Sequence, residues 1–264
     1  MKIFSILWVC IFVVAIIGCT KNVIEYGEAG KIPADQTRLK INYVSMYANN
    51  RTVYFKINDK RVSNVLTART PFPGGGYNTG GSSAPDFLAI APGTVKLSVV
   101  LPRKIDNGTD SIELYSTTLQ VAAGKSYVAH ITDTAATTQT FLTEENIARP
   151  DTSTARYRFV NLMPNVASVD LYHGISATDH TRDTLIAGNV SYLSITNEIK
   201  LKSVQSRTWK IRAAGTALTT ATILASYTSA STFLNQRAYT IFASGYRGKT
   251  TTVQRPYVAF FLIR

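Results

Sequence analysis

Cysteine is nearly absent from this 264-residue chain: only Cys10 and Cys19 occur, both near the amino terminus. Two such residues cannot build a disulfide framework or a cysteine-rich metal site. Histidine is as scarce. There are three, and the spacing of His173 and His180 is not that of a helical metal pair. All three read as surface histidines, His130 on the outward face of its strand pattern. The chain holds 16 acidic residues against 28 Lys and Arg, a net charge of +12. No Gly-Lys-Ser/Thr entry to a helix and no nucleophile elbow is present, which speaks against a P-loop nucleotidase and an α/β-hydrolase. Asp106-Asn107-Gly108-Thr109-Asp110 alternates oxygen donors but lacks the closing glutamate of an EF-hand, so it reads as a hairpin turn. Long helical periodicity is missing too. No catalytic residue, metal or cofactor is expected.

What is there begins with Lys2 and an uncharged apolar run from Ile3 to Ile17, then Gly18 and Cys19. The run is short for a membrane span, which needs roughly 20 apolar residues, and fits the apolar region of a secretory signal. Ile16-Ile17-Gly18-Cys19 resembles the bacterial lipobox. That resemblance implies cleavage after residue 18, acylation of Cys19 and anchoring to a lipid bilayer. An ordinary cleaved signal is the competing reading. With residues 1–18 removed, Cys19 is the last thiol left, so its expected chemistry is attachment. Thr20 in place of aspartate favours the outer membrane over retention in the inner one. Residues 19–36 are polar, contain Gly27, Gly30 and Pro33, and read as a tether, with a reach on the order of 20 Å.

From Arg38 onward the pattern has period two, the signature of strands. Leu39, Ile41 and Tyr43 alternate with Arg38, Lys40 and Asn42; Val53, Phe55 and Ile57 repeat the pattern, as do Val95, Leu97, Val99 and Leu101, and Tyr127, Ala129 and Ile131. Each strand is expected to have one apolar and one wet face, as in antiparallel sandwiches. The second half echoes the first. Arg156–Phe159 answers Arg38–Ile41, Val169–Tyr172 answers Val53–Lys56, Trp209–Arg212 answers Val95–Ser98, and Arg237–Ile241 answers Lys125–Ala129. The expected fold is therefore all-β: two tandem immunoglobulin-like antiparallel sandwiches, at 37–149 and 150–264. Tyr127 and Tyr239 open equivalent strands, where such folds place a tyrosine that bonds back to the preceding turn.

The excess of basic residues points to anionic material: lipid headgroups, lipopolysaccharide or acidic glycans rather than nucleic acid, which an exported protein rarely meets. The alternative is that these side chains form solvated strand faces. The Gly-rich stretch from Thr70 to Phe87 has no counterpart in the second half. It reads either as a mobile loop presenting Phe72 and Tyr77 to a ligand, or as a disordered insertion with Phe72 on the sheet edge. Lys56 and Arg61 are further contact candidates on outward positions. Asp110-Ser111-Ile112, Asp133-Thr134-Ala135 and Asp183-Thr184-Leu185 resemble an O-glycan acceptor pattern of exported proteins, which would make Ser111, Thr134 and Thr184 acceptors.

Arg156-Tyr157-Arg158-Phe159-Val160-Asn161-Leu162, the turn Met163-Pro164-Asn165 and Val169-Asp170-Leu171-Tyr172-His173-Gly174 resemble the bacterial domain-of-unknown-function family numbered forty-three ninety-seven. Lys125-Ser126-Tyr127 and Arg237-Ala238-Tyr239 match its later tyrosine strand. The first repeat departs from the pattern, with Tyr43-Val44 for Val-Asn and no Val-Asp. The resemblance implies a tandem β-sandwich envelope lipoprotein and carries over no catalytic residue. The expected function is non-catalytic adhesion, or binding of a glycan or another envelope protein. A carbohydrate-active enzyme or its accessory module, and a structural spacer, are the alternatives.

Overall fold

The computed structural model describes residues 32–103, 112–202 and 208–264. The signal segment, Cys19, most of the tether, the turn at Asp106–Asp110 and Ser111 lie outside the described residues.

The first half contains β1 (Thr37–Tyr43), β2 (Tyr54–Ile57), β3 (Lys60–Arg61), β4 (Gly76–Tyr77), β5 (Leu88–Ile90), β6 (Gly93–Val100), β7 (Glu113–Val121), β8 (Ser126–Thr132) and β9 (Gln139–Glu144). The second contains β10 (Thr154–Asn161), β11 (Ser168–Gly174), β12 (Thr184–Ser191), β13 (Ser194–Ile195), β14 (Ile199–Lys202), β15 (Thr208–Ala213), β16 (Ile223–Thr228), β17 (Ala238–Ser244) and β18 (Tyr257–Leu262). Three single turns of 3-10 helix are the only helical elements among the described residues. The all-β expectation holds.

Four sheets are stacked. In the first half β5-β1-β8-β9 faces β3-β2-β6-β7, and in the second β13-β10-β17-β18-β4 faces β12-β11-β15-β16. The period-two residues do what their spacing dictates. Leu39, Ile41, Val53, Phe55, Val95, Leu97, Val99, Ala129 and Ile131 fill the first core. Tyr157, Phe159, Val169, Leu171, Trp209, Ile211, Tyr239, Ile241 and Phe260 fill the second. The internal repeat is visible in register: Leu39 pairs with Tyr127 as Tyr157 pairs with Tyr239. Both tyrosine hydroxyls bond to backbone upstream. Tyr127 accepts from the Ala122 amide at 3.4 Å, and Tyr239 donates to the Ser231 carbonyl at 2.7 Å.

Two expectations need correction. First, the sandwiches are not purely antiparallel, because β1 pairs with β8, and β10 with β17, in parallel. Parallel neighbours need a crossover, and here the chain between them builds the opposite sheet. Second, the expected wet face of β1 and β8 is dry. Lys40, Asn42 and His130 are fully buried. The outer face of β1-β8-β9 packs against the outer face of β10-β17-β18 through a third cluster that includes Val44, Met46, Val128, Val160, Leu162, Phe242, Ala259 and Phe261. His130 is thus a buried residue, its ring 6.0 Å from Phe261 and 6.3 Å from Phe141. β18 lies inside both contacts, Val258 and Phe260 toward the sandwich core and Ala259 and Phe261 toward the other half. A strand covered on both faces carries an unbroken apolar run.

The Gly-rich stretch pairs with a sheet in each half, and Phe72 lies beside β1 at the sheet edge. Phe72 exchanges backbone hydrogen bonds with Ile41 at 2.7 and 2.9 Å, and its ring lies 6.3 Å from Phe55. Four residues on, β4 joins the second half's sheet, Gly76 opposite Phe261 and Tyr77 opposite Phe260. The first half therefore covers the edge of the second half's sheet, and an open edge is a liability. Gly76 is obligatory, since a Cβ there would stand 1.6 Å from the Phe260 carbonyl oxygen.

Two measurements follow. Gly76→Ala is expected to cost about 1–3 kcal/mol by overpacking a site closed by backbone, read as a lowered urea midpoint. Burial, with Arg158 as a lesser cause, lowers the His130 pKa from 6.5 to about 3. Between these values the unfolded chain binds a proton that the folded chain refuses, so this contribution to stability is lost as pH falls through the window. Buried Glu145, whose pKa is raised, works in the opposite sense. The decline of the urea midpoint from pH 6.5 toward about 4 should be shallower in His130→Gln than in the wild type.

Candidate functional site

The four contact candidates read from the sequence do not form one site. Phe72 belongs to the first core, and Tyr77 to the second, its ring 6.2 Å from Tyr239. Lys56 and Arg61 face each other on the β2–β3 ladder, with the Arg61 guanidinium 4.4 Å from the centre of the Tyr54 ring. Of the acceptor candidates, Thr184 is exposed, while Thr134 is half-buried beside Asp133. The Asp133 carboxylate accepts from the Thr134 amide and the Tyr246 hydroxyl, each at 2.8 Å. Asp183, which precedes Thr184, is buried between Lys210 at 2.6 Å and Arg212 at 3.1 Å.

The Gly-rich stretch instead shapes a trough on its other side. Its first wall is Thr67–Thr70 with Asn78–Gly80, its second the β17–β18 loop, and its third the exposed side of β16. Two contiguous cavities of about 330 and 540 Å³ share Arg69 and Asn78. Local backbone bonds hold these walls. Arg69 donates its amide to the Tyr43 carbonyl at 2.9 Å, and Gly80 donates to the Arg69 carbonyl at 2.8 Å. The Asn78 side chain donates to the Val258 carbonyl at 2.7 Å. In the β17–β18 loop, Tyr246 bonds Gln254 at 2.8 Å and the Gln254 amide side chain reaches the Met46 carbonyl at 3.2 Å.

Arg69 is the centre of the trough. Its guanidinium carbon sits 3.8 Å from the centre of the Tyr257 ring, a cation–π contact. Its terminal nitrogens donate to the carbonyls of Thr252 at 3.4 Å and Asn78 at 3.3 Å. Arg69 and Asn78 both take left-handed backbone angles, with φ of 67° and 60°. Burial pushes the Tyr257 hydroxyl pKa up, with the Arg69 charge pulling the other way. Lys249 and Arg255 stand exposed along the same trough. No Asp or Glu is among its lining residues, and none of the three cations forms a salt bridge among the described residues. The remaining lining is hydroxyl and amide, notably Thr70, Asn78, Ser226, Tyr227 and Thr250. Such a surface can accept anions and neutral hydroxyls.

A second cleft, of about 440 Å³, lies at the seam between the halves. Its three carboxylates are all paired: Glu144 with Lys125 at 2.6 Å, Glu145 with Arg158 at 3.6 Å, and Glu198 with Arg156 at 3.4 Å. Glu145 ends a buried relay. Asn42 donates to His130 Nδ1 at 3.0 Å, His130 Nε2 donates to the Thr143 hydroxyl at 3.2 Å, and Thr143 donates to Glu145 at 3.1 Å. Burial raises the Glu145 pKa, against the pull of Arg158.

Arg69, Asn78, Lys249 and Arg255 were missed by the sequence reading. One signal was available: no acidic residue follows Glu198, while ten Lys and Arg do. The meeting of Arg69 with Lys249 and Arg255, about 180 positions away, had no local sign.

No curated protein sequence matches the chain. One similar solved structure is a leucine-rich repeat protein from Bacteroides thetaiotaomicron, at 14% identity and a TM-score of 0.18. It is matched over 74% of this chain and 24% of its own length, and so low a score supports no argument about fold or function. A family profile described as a domain of unknown function, DUF4397, matches residues 44–172. The match starts at the end of β1, takes in the first sandwich and crosses the seam to β11, so it includes the repeat that departs most from the motif. Residues 44–172, just under half of the chain, are thus similar to the DUF4397 domain, the family that the strand motifs resemble.

Proposed function

We propose that this protein is a non-catalytic, lipid-anchored lipoprotein of the outer membrane that binds a glycan or another envelope protein. The anchoring half of the proposal rests on Lys2, the apolar run Ile3–Ile17 and the Gly18-Cys19 pair. The binding half rests on one observation: a preformed trough lined by cations, hydroxyls and amides, with its walls held by backbone bonds. Fixed walls reduce the ordering cost of binding. Phe72 and Tyr77 support this trough from behind, as core residues flanking the Gly-rich connector, and Lys56 and Arg61 lie outside it.

The enzymatic alternative has its own observation. Glu145, with a raised pKa in a cleft that also holds Glu144 and Glu198, is the kind of group a glycosidase uses as an acid. The pairing of each carboxylate with a Lys or Arg favours the binding reading, because paired carboxylates are held in place by their partners.

The detergent-solubilised full chain is expected to bind a subset of a glycan array without shortening any of it. Chain shortening that disappears in Glu145→Gln would establish the enzymatic reading instead, and failure to retain any glycan or envelope protein would leave a spacer. Membrane fractionation checks the anchor: Cys19→Ala should leave the membrane fraction, and a form that stays would refute lipid attachment. Intact mass of the native protein should equal polypeptide plus lipid, and additional hexose-sized increments would report glycans at Thr134, Thr184 or Ser111.

A further inference from the structure

Resting on the binding reading above, the geometry points to a more specific ligand: we infer that the trough takes an acidic polysaccharide, its carboxylate or sulfate groups held by Arg69, Lys249 and Arg255. Three features of the site carry this.

The first is charge without compensation. The three cations share contiguous cavities with no carboxylate in the lining and no salt bridge among the described residues. Two buried cations of the second half, Lys210 and Arg212, are by contrast neutralised by Asp183. Like charges gathered in a concave surface raise the local concentration of anions.

The second is preorganisation. Stacking on Tyr257 and two carbonyl bonds fix the plane of the Arg69 guanidinium, while its Nε is buried without a hydrogen-bond partner. A planar fork held in place suits carboxylate and sulfate oxygens better than a flexible ammonium does. Lys249 and Arg255, on the loop opposite, can then engage a second anionic group along the same chain.

The third is the intervening chemistry. Asn50, Thr70, Asn78, Thr79, Ser226 and Thr250 place neutral donors and acceptors between the cations. Sugar hydroxyls match such groups. A lipid surface does not, because it is convex or flat against a concave site and is engaged through exposed apolar residues. Among the described residues the exposed large apolar side chains are Val65, Ile112, Ile175, Leu185, Leu218 and Leu234, none of which lines the trough.

The test is titration of the detergent-solubilised full chain by calorimetry. The probes are an oligogalacturonate, its methyl ester, a sulfated dextran oligomer, polyglutamate of equal charge and anionic phospholipid vesicles. An acidic sugar should bind, with either the carboxylate or the sulfate form preferred, and esterification should weaken the galacturonate about tenfold or more. The exposed pair Lys249→Gln with Arg255→Gln should lose about tenfold or more toward that sugar, whether or not Arg69→Gln folds. Lys60→Gln with Lys200→Gln removes the same charge outside the trough and should change binding less than about twofold.

Equal losses in the two double variants would mean non-specific attraction and overturn the site. Equal binding of the methyl ester, or tight binding of other neutral glycans alone, would overturn the acidic class while the binding reading stands. Polyglutamate or vesicles binding more tightly than either sugar would replace the polysaccharide with that partner. Failure of every array glycan and every probe would remove this inference and the glycan reading together.

Discussion

The face-to-face contact between β1-β8-β9 and β10-β17-β18 is the constraint on which the rest of this molecule depends. Each of these sheets already covers a sandwich core, so the contact buries its second face as well. Apolar surface drives the packing, from Val44, Met46 and Val128 on one side and Phe242, Ala259 and Phe261 on the other. Polar groups caught in it must then find partners inside the protein. Lys40 donates to the carbonyls of Ala84 and Leu262, each at 3.3 Å, and Thr132 to that of Leu162 at 2.8 Å. Burial lowers the Lys40 pKa to about 8, with Asp86 and Glu145 opposing the shift. Buried charges of this kind add little net stability, but they demand one arrangement of the two halves.

That arrangement makes the trough possible. The Gly-rich connector leaves the first sandwich at Phe72, crosses to the second and returns, leaving β4 as an edge strand on β18. Arg69, just before that departure, and Asn78, just after β4, lie against the loop that carries Lys249 and Arg255. The two sandwiches otherwise repeat one plan, down to the parallel pairing of first and penultimate long strands. The trough lies where the repeat is broken, since nothing in the second half corresponds to the connector. A site at a break in internal symmetry needs residues from both halves, so neither sandwich alone could supply it. The ion-paired seam cleft, by contrast, serves the contact itself: Glu145 closes the relay from His130, and Arg158 and Arg156 hold the linker between the halves.

Much of the architecture was legible along the chain. Alternation at Leu39, Ile41, Val53, Phe55, Val95 and Leu97 named the inner faces, because side chains on a strand alternate with period two. The echo of Arg38–Ile41 in Arg156–Phe159 named the repeat. Legibility failed at Lys40, Asn42 and His130, which look like solvent-facing residues in any local window. It failed again at Gly76, where a glycine that reads as looseness is required by the Phe260 carbonyl. In the candidate site, the long acid-free stretch after Glu198 was the one visible trace.

Sequence alone determined the strand content, the inner face of each strand and the internal repeat, since these follow from backbone geometry and the solubility of neighbouring side chains. The apolar leader ending at Cys19 is legible in the same local way. Tertiary structure alone decided which outer faces meet water, that β1 and β8 run parallel, and that Arg69 meets Lys249 and Arg255. Those outcomes depend on packing between segments far apart in the chain. A polar residue's environment is set by whatever comes to cover it, and period-two alternation carries no record of that partner.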